Sequence, residues 1–129
     1  MSGPTKSFEL PGLQVVLDQL DYREGGPQVP EETPHVFVYF LTIWNRSDRR
    51  VTLLGRKWIV EQADGQRRVI EGDRIVGETP ELGPGEHFSY NSFHLVGERA
   101  RVYGSFHGVD EHGQHVHVRI PPFVLQPPD

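Results

Sequence analysis

The chain has 129 residues, no cysteine and a formal net charge of −5 at pH 7. This length suits one domain with a core of its own. The lack of cysteine excludes disulfides, thiolate catalysis and cysteine-based metal sites, and it fits a cytoplasmic location. The negative charge argues against broad binding to nucleic acid. No apolar run approaches the roughly 20 residues of a membrane-spanning helix, so no membrane partner is expected.

Alternation of apolar and polar residues with a period of two predicts β-strands along the whole chain. In chain order the predicted strands cover residues 13–22, 35–45, 51–54, 56–63, 67–71, 87–93, 100–109 and 115–120. The proline-rich segment 24–34 predicts a loop, and 71–85 is predicted to be mostly loop. Residues 123–125 are expected to pack as a lid after the bend at Pro121 and Pro122.

Short strands separated by regular turn residues predict an all-β protein. The expected architecture is an immunoglobulin- or fibronectin type III-like antiparallel β-sandwich. No segment of helical length has a sustained 3.6-residue period, and no repeat marks a second domain. We predict one domain over residues 1–129, with a core of about 13–125 and tails at 1–12 and 126–129. Trp58, in mid-strand, is predicted to lie in the core, where its indole N–H needs a hydrogen-bond partner.

The C-terminal hairpin permits a prediction of strand register. Its two strands can both direct their apolar residues inward only if the turn has three residues, Glu111–Gly113. Gly113 then takes the left-handed bulge position. This register places Phe106 opposite Val118, and a two-residue turn would instead expose one of the two apolar sets to water.

The same register places His107 opposite His117 on the outer face of the hairpin, with His115 on the diagonal. Three imidazoles are a ligand set for zinc or copper. The alternative is a solvated strand face whose histidines have no ligand, because no carboxylate clearly completes the shell. Zinc titration separates the two interpretations.

Several segments together resemble one known family, the ApaG family. They are Tyr39–Asn45, Leu53–Val60, Gly72–Gly77, Pro84–Tyr90, Asp110–Gly113 and Ile120–Leu125. They follow in the family's order, and the resemblance covers about residues 13–125. Any one segment would be a weak match, and their common order makes the resemblance specific.

The resemblance implies a fibronectin-type β-sandwich without established catalysis. The family is linked to cobalt resistance and magnesium efflux, and related domains occur in F-box proteins and in a polymerase-delta-interacting protein. It therefore implies a binding module for a protein partner of unknown identity, with no cofactor. The residues agree, since no nucleophile elbow, zinc-protease helix or kinase motif is present, and we predict no catalytic residue.

Many members of the family carry a Gly-x-Gly-x-x-Gly loop, which has been suggested to hold a nucleotide or pyrophosphate. Here the loop runs from Gly72 to Gly77, and Arg74 replaces its middle glycine. A dinucleotide fingerprint needs that glycine and a helix after the loop, and neither is predicted. The family's histidine before the tryptophan is replaced by Lys57.

The first functional hypothesis is a protein-interaction surface on the strand 35–45, which is apolar on both faces. Its second face carries Val36, Val38, Phe40 and Trp44, and an apolar outer face on a sandwich is unusual if it meets water. Either other parts of the chain cover this face, or it is reserved for a partner, which includes a second copy forming a homodimer.

The alternative hypothesis is a small-anion site for a nucleotide or pyrophosphate. Basic residues are concentrated in one third of the chain, and arginine forks with loop amides suit phosphate. The candidate ligands are Arg56, Lys57 and Arg74, with Gly72 and Gly77 nearby. The competing interpretation is a solvated face whose charges are balanced by neighbouring carboxylates.

Overall fold

A computed structural model describes residues 6–129, and within that range it contains nine β-strands in two facing sheets. The strands are β1 (Phe8–Glu9), β2 (Leu13–Glu24), β3 (His35–Asn45), β4 (Val51–Gln62), β5 (Arg67–Asp73), β6 (Glu81–Leu82), β7 (His87–Val96), β8 (Ala100–Asp110) and β9 (His115–Leu125). One sheet has the order β1-β9-β8-β4-β5, with β6 paired to β4. The other has the order β2-β3-β7. The predicted all-β sandwich is confirmed.

Within the described part of the chain, no helix is long and apolar enough to cross a membrane. All strand pairs are antiparallel except β1 with β9, which is parallel. Of the predicted tail 1–12, the structure describes residues 6–12.

The predicted register of the C-terminal hairpin is confirmed. Phe106 pairs with Val118, His107 pairs with His117, and Gly113 has a φ of 79°. The left-handed conformation is one that glycine adopts without a steric penalty, so the three-residue turn and the inward apolar sets are mutually consistent.

The core lies between the two sheets and is centred on Trp58, which is 2% exposed. Its ring lies 4.9 Å from that of Tyr39 and 4.7 Å from that of His94, measured between centroids. The burial predicted for Trp58 is therefore confirmed. The predicted partner for its indole N–H is not found, since Nε1 is buried without a hydrogen bond.

Two predicted boundaries need correction. The tail 1–12 contributes β1 and the buried Leu10, because the parallel pairing with β9 draws Phe8 and Glu9 into the sheet. The segment 71–85 is mostly loop, as predicted, apart from the end of β5 and the short β6. Residues 123–125 belong to β9 rather than to a lid.

Strand β9 continues through two prolines because a β-bulge lies there. Gly104 pairs with Ile120 and Val102 pairs with Phe123, so one residue of β8 opposes both prolines of β9. Proline lacks the N–H of a regular ladder and is tolerated at such bulges. The bend predicted at this point is therefore absorbed within the sheet.

Asn45 joins the two sheets at the end of β3. It is 0% exposed, and its Nδ2 donates to the carbonyl oxygens of Arg49 and Leu82, each at 2.8 Å. Its Oδ1 accepts hydrogen bonds from the amide and the hydroxyl of Ser47, at 3.0 and 2.6 Å. One side chain thus fixes the end of β3, the following turn and β6 of the opposite sheet.

Candidate functional site

Strand β3 lies in the middle of the three-stranded sheet, and its outward side chains are flanked on both sides. The register places Val36 beside Leu95 and Val38 beside Phe93. Phe93 is 56% exposed, while Val36, Val38 and Leu95 are half-buried. Together with the half-buried Phe40, these side chains form a continuous apolar area, which we call the outer patch.

Polar side chains border the outer patch along β2. Gln19 pairs with Phe40, Asp21 with Val38 and Arg23 with Val36. An apolar centre with a polar rim is the usual anatomy of a protein interface. The outer patch thus has an apolar centre with polar side chains along its β2 side.

Trp44 does not belong to the outer patch, which corrects the predicted surface. Thr42 lies between Phe40 and Trp44, and its hydroxyl donates to Asp18 Oδ2 at 2.5 Å and contacts Ser89 Oγ at 2.8 Å. This polar group interrupts the apolar face.

The ring of Trp44 is half-buried by side chains close to it. Its centroid is 4.5 Å from that of His87, and the guanidinium carbon of Arg46 lies 4.7 Å from it. A cation–π contact of this kind occupies one ring face. Of the four residues predicted for the partner surface, the structure therefore groups three, Val36, Val38 and Phe40.

Sequence reasoning missed Phe93 and Leu95. The alternation in β7 places His87, Ser89 and Asn91 outward, and its continuation assigns Phe93 and Leu95 to the same face. The predicted strand ended at Phe93, so the switch from polar to apolar outward residues was not recognised. Their pairing with β3 is a long-range feature that alternation alone cannot supply.

Buried aromatic residues lie between the two sheets, on the opposite face of the three-stranded sheet from the outer patch. Tyr39 stacks on His94 with centroids 4.9 Å apart, and His94 is 4% exposed. Burial lowers the pKa of His94 to about 4, and the positive charge of Arg68 acts in the same direction. The neutral imidazole is therefore the form that the core accepts at pH 7.

The loop after β5 is held by Arg56. Its Nη1 donates to the carbonyl oxygens of Asp73 and Arg74, at 2.8 and 2.9 Å. Ile75, at the centre of the loop, is 0% exposed and anchors it to the core. A Cβ at Gly72 would lie 2.8 Å from Arg56 Nη1, so glycine leaves room for this guanidinium.

The glycine pattern of this loop has a conformational explanation. Arg74, at the position of the family's middle glycine, has a φ of 68°, and Gly77 has a φ of 83°. Both lie in the left-handed region that favours glycine. The spacing of the glycine positions therefore fits a tight turn. Val76, with a φ of 44°, also lies in the left-handed region and is strained.

Replacing Val76 by glycine is expected to raise the free energy of unfolding by about 1 kcal/mol. Relief of a β-branched residue at positive φ outweighs the extra entropy of glycine in the unfolded chain. The matched change Gly77→Ala should lower the free energy of unfolding by about 1 kcal/mol. Urea denaturation measures both, and a loss of stability in Val76→Gly would contradict the proposed strain.

The residues predicted for an anion site divide between two faces of β4. Lys57 is directed outward, where its Nζ lies 3.5 Å from Glu71 Oε1. Arg56 is directed toward a cleft between the sheets, together with Arg74 and Gly77. The cleft has a volume of about 340 Å³ and is also lined by Tyr39, Asp73, Val76, Tyr90 and Ser92. Arg56 and Lys57 both line a second hollow of about 470 Å³, together with Gly72, so Lys57 is separated from Arg74 but not from Arg56.

The three histidines predicted as metal ligands do not converge. A Cβ at Gly55 would lie 2.5 Å from Nε2 of His107, so this imidazole lies over Gly55. Nδ1 of His117 is 2.8 Å from the hydroxyl of Ser7, and His115 is exposed. Across residues 6–129, no group of three or more histidine, aspartate or glutamate side chains is placed to hold a metal ion.

Comparison with known proteins agrees with the architecture. The family model described as the ApaG domain matches residues 26–110. A protein named ApaG from Deinococcus radiodurans is 42% identical over 98 residues, which cover 74% of this chain and 77% of that protein. A protein named ApaG from Vibrio cholerae is 37% identical over 100 residues, covering 77% of this chain and 79% of that protein. The chain therefore belongs to the ApaG domain family.

Two solved structures show the same fold. The X-ray structure of target SoR45 of the Northeast Structural Genomics Consortium has a TM-score of 0.80 and 30% identity, covering 91% of this chain and 88% of that one. A crystal structure assigned to the ApaA protein of Bordetella pertussis has a TM-score of 0.74 and 26% identity. It covers 97% of this chain and 98% of its own.

Proposed function

We propose that this chain is a non-catalytic protein-binding module and that the outer patch is its contact surface. The observation that carries the proposal is Phe93, a large apolar side chain that is 56% exposed beside half-buried Val36, Val38 and Leu95. Aromatic side chains at the centre of an apolar area commonly dominate binding free energy.

The expected gain from covering the outer patch is substantial. Complete burial of one phenylalanine side chain contributes roughly 1.5–3 kcal/mol, and the neighbouring aliphatic groups add to this. The polar rim of Gln19, Asp21 and Arg23 supplies hydrogen bonds and charges for orientation. Affinity is expected to come from the apolar centre, and specificity from the rim.

The proposal assigns no cofactor and no chemical step. Any effect on cobalt resistance or magnesium efflux, with which the family is linked, would then be exerted by the bound partner in the cytoplasm. It would not require a metal ion held by this domain. For the small-anion alternative, Arg56 lines one cavity with Arg74 and another with Lys57, and its Nη1 also donates to two loop carbonyls.

Affinity capture from the native host tests the proposal with a matched pair of variants. Phe93→Asp changes the outer patch, and Val69→Asp changes a 48% exposed valine on the other sheet. We expect Phe93→Asp to lower recovery of the partner about tenfold, since loss of one buried aromatic costs more than 1.4 kcal/mol. Val69→Asp should recover as much partner as the wild type.

Equal recovery by Phe93→Asp and the wild type would contradict the proposal, as would an equal loss in both variants. Both substituted side chains are exposed, so the two proteins are expected to fold. Thermal melts of the two variants check this before capture.

A further inference from the structure

Strand β7 is a free edge of the three-stranded sheet. The carbonyl of Glu86 accepts from the amide of Asn45, the last residue of β3, whereas the carbonyl of Leu95 accepts from Arg68 of the opposite sheet, at 2.6 Å. Backbone groups of successive residues alternate in direction. The amides and carbonyls of Ser89, Asn91 and Phe93 therefore point away from β3.

No strand among residues 6–129 pairs with this side of β7. Proteins commonly protect such edges with charges, prolines, bulges or short strands. The other edges have these features: β1 has two residues, β5 carries four charged residues, and β2 has a bulge between Leu17 and Gln19. From His87 to Val96, β7 has no proline, lysine, arginine or carboxylate, and its register with β3 is unbroken.

A groove follows this edge. The segment 73–82 forms its far wall and leaves two adjoining cavities, which we call the edge groove. One has a volume of about 340 Å³ and lies between Arg74 and Tyr90, and the other has a volume of about 500 Å³ and lies between Pro80 and Phe88. An extended chain placed along β7 would run through both.

We propose that the edge groove binds an extended peptide segment of a partner protein, which adds to the sheet as a strand beside β7. Backbone hydrogen bonds with Ser89, Asn91 and Phe93 would supply affinity, as in other cases of strand addition. This inference rests on the proposed function, because it specifies the form of the protein partner.

The side chains of the added strand would alternate between two environments. Those directed inward lie beside Tyr90 and Ser92 and enter the cleft that contains Arg56 and Arg74. Those directed outward lie beside Phe93 and extend the outer patch. The two arginines outnumber the one carboxylate of the cleft, Asp73, so an acidic side chain is expected at the inward position.

Short random peptides displayed on phage, selected against the full chain, test the proposal. Selected peptides are expected to alternate, with an acidic residue whose change to lysine weakens binding about tenfold. Asn91→Pro removes an edge amide that makes no bond to β3, and it should weaken peptide binding about tenfold. Asn91→Ala keeps this amide and should bind within about twofold of the wild type.

Failure to enrich any peptide, or equal binding by Asn91→Pro and Asn91→Ala, would overturn the proposal. If Asn91→Pro does not fold, amide exchange in the wild type replaces it: bound peptide should slow exchange at Asn91 and Phe93, and unchanged exchange there would overturn the proposal. A wild-type dimer in sedimentation that Asn91→Pro dissociates would assign the edge to a second copy and also overturn it.

The two functional tests fail separately. If Asn91→Pro loses peptide binding and Phe93→Asp captures the partner normally, the proposed edge groove is supported and the proposed role of the outer patch is contradicted. If Phe93→Asp loses capture of the partner and no peptide is selected, the proposed role of the outer patch is supported and the proposed edge groove is contradicted.

Discussion

Replacing Asn45 by alanine is expected to lower the free energy of unfolding by about 3 kcal/mol. The change leaves the carbonyl of Leu82 without its donor and the amide of Ser47 without its acceptor, and it removes the closer of two donors to the carbonyl of Arg49. Asn45 is completely buried, so water cannot replace these bonds without opening the junction between β3 and β6. Urea denaturation of the wild type and the variant measures the loss, provided that the unfolding free energies of both proteins depend equally on urea concentration.

The control for this prediction is Ser47→Ala. It removes the 2.6 Å hydrogen bond from the Ser47 hydroxyl to Asn45 and two longer ones between this hydroxyl and the backbone of Arg49. Both N–H donors of the Asn45 side chain stay engaged. Its expected cost is about 1 kcal/mol. A loss in Asn45→Ala no greater than in Ser47→Ala would show that the asparagine does not fix the two sheets.

Acidification is expected to destabilise the protein through His94. The pKa is 6.5 in the unfolded chain and about 4 in the folded protein. Between these values the unfolded chain binds a proton that the folded protein excludes, so stability is complete above pH 6.5 and falls as the pH approaches 4. A difference of this size corresponds to about 3 kcal/mol.

The surroundings of His94 provide no compensating charge. Tyr39 and Trp58 pack against its ring, and Arg68 contributes a like charge to the protonated form. His94→Phe keeps an aromatic side chain and removes the titration. We expect its unfolding free energy to be nearly constant from pH 7 to about pH 4.5, whereas that of the wild type declines. Equal slopes for the two proteins would contradict the prediction.

Asp110 titrates outside this pH range. Burial opposes its ionisation, but amide hydrogen bonds from Gln114 and His112 and the guanidinium of Arg49 hold the pKa of Asp110 below its ordinary value of 3.8. A carboxyl with a lowered pKa in the folded state loses its contribution only as the pH falls below that value. Asp110 is therefore not expected to contribute to a decline above pH 4, whereas His94 is.

Local chemistry made much of the fold predictable. The alternation of apolar residues and the three-residue turn together determined how β8 and β9 pair, because a shift by one residue would have exposed Phe106 and Val118. Trp58 was predicted to be buried for the same reason. These features depend on residues that are close in sequence, where period and turn type act directly.

The site depended on contacts that are distant in sequence. Trp44 shares the outward direction of Phe40, but the polar group formed by Thr42 with Asp18 and Ser89 separates them. Asp18 reaches Thr42 because β2 has a bulge at this point, and no local pattern marked that bulge. The position of Phe93 beside Val38 follows from the register of β7 with β3, which the sequence alone did not predict.

The loop 72–77 has a backbone conformation that accounts for its glycine pattern. Its glycines were first considered as a phosphate-binding feature. The positive φ angles of Arg74 and Gly77 and the close approach of Arg56 to Gly72 show a turn that needs small or left-handed residues. Dihedral angles and packing distances, which the sequence does not contain, supply this conformational explanation.

The most direct measurement of the central claim is photocrosslinking in the native host with p-benzoylphenylalanine in place of Phe93. The aromatic analogue preserves the shape of the outer patch, so a bound partner should give a discrete crosslinked product. The same analogue at Val69, on the outer face of the other sheet, should give none. Absence of a product at position 93, or the same product at both positions, would contradict a binding surface on the three-stranded sheet.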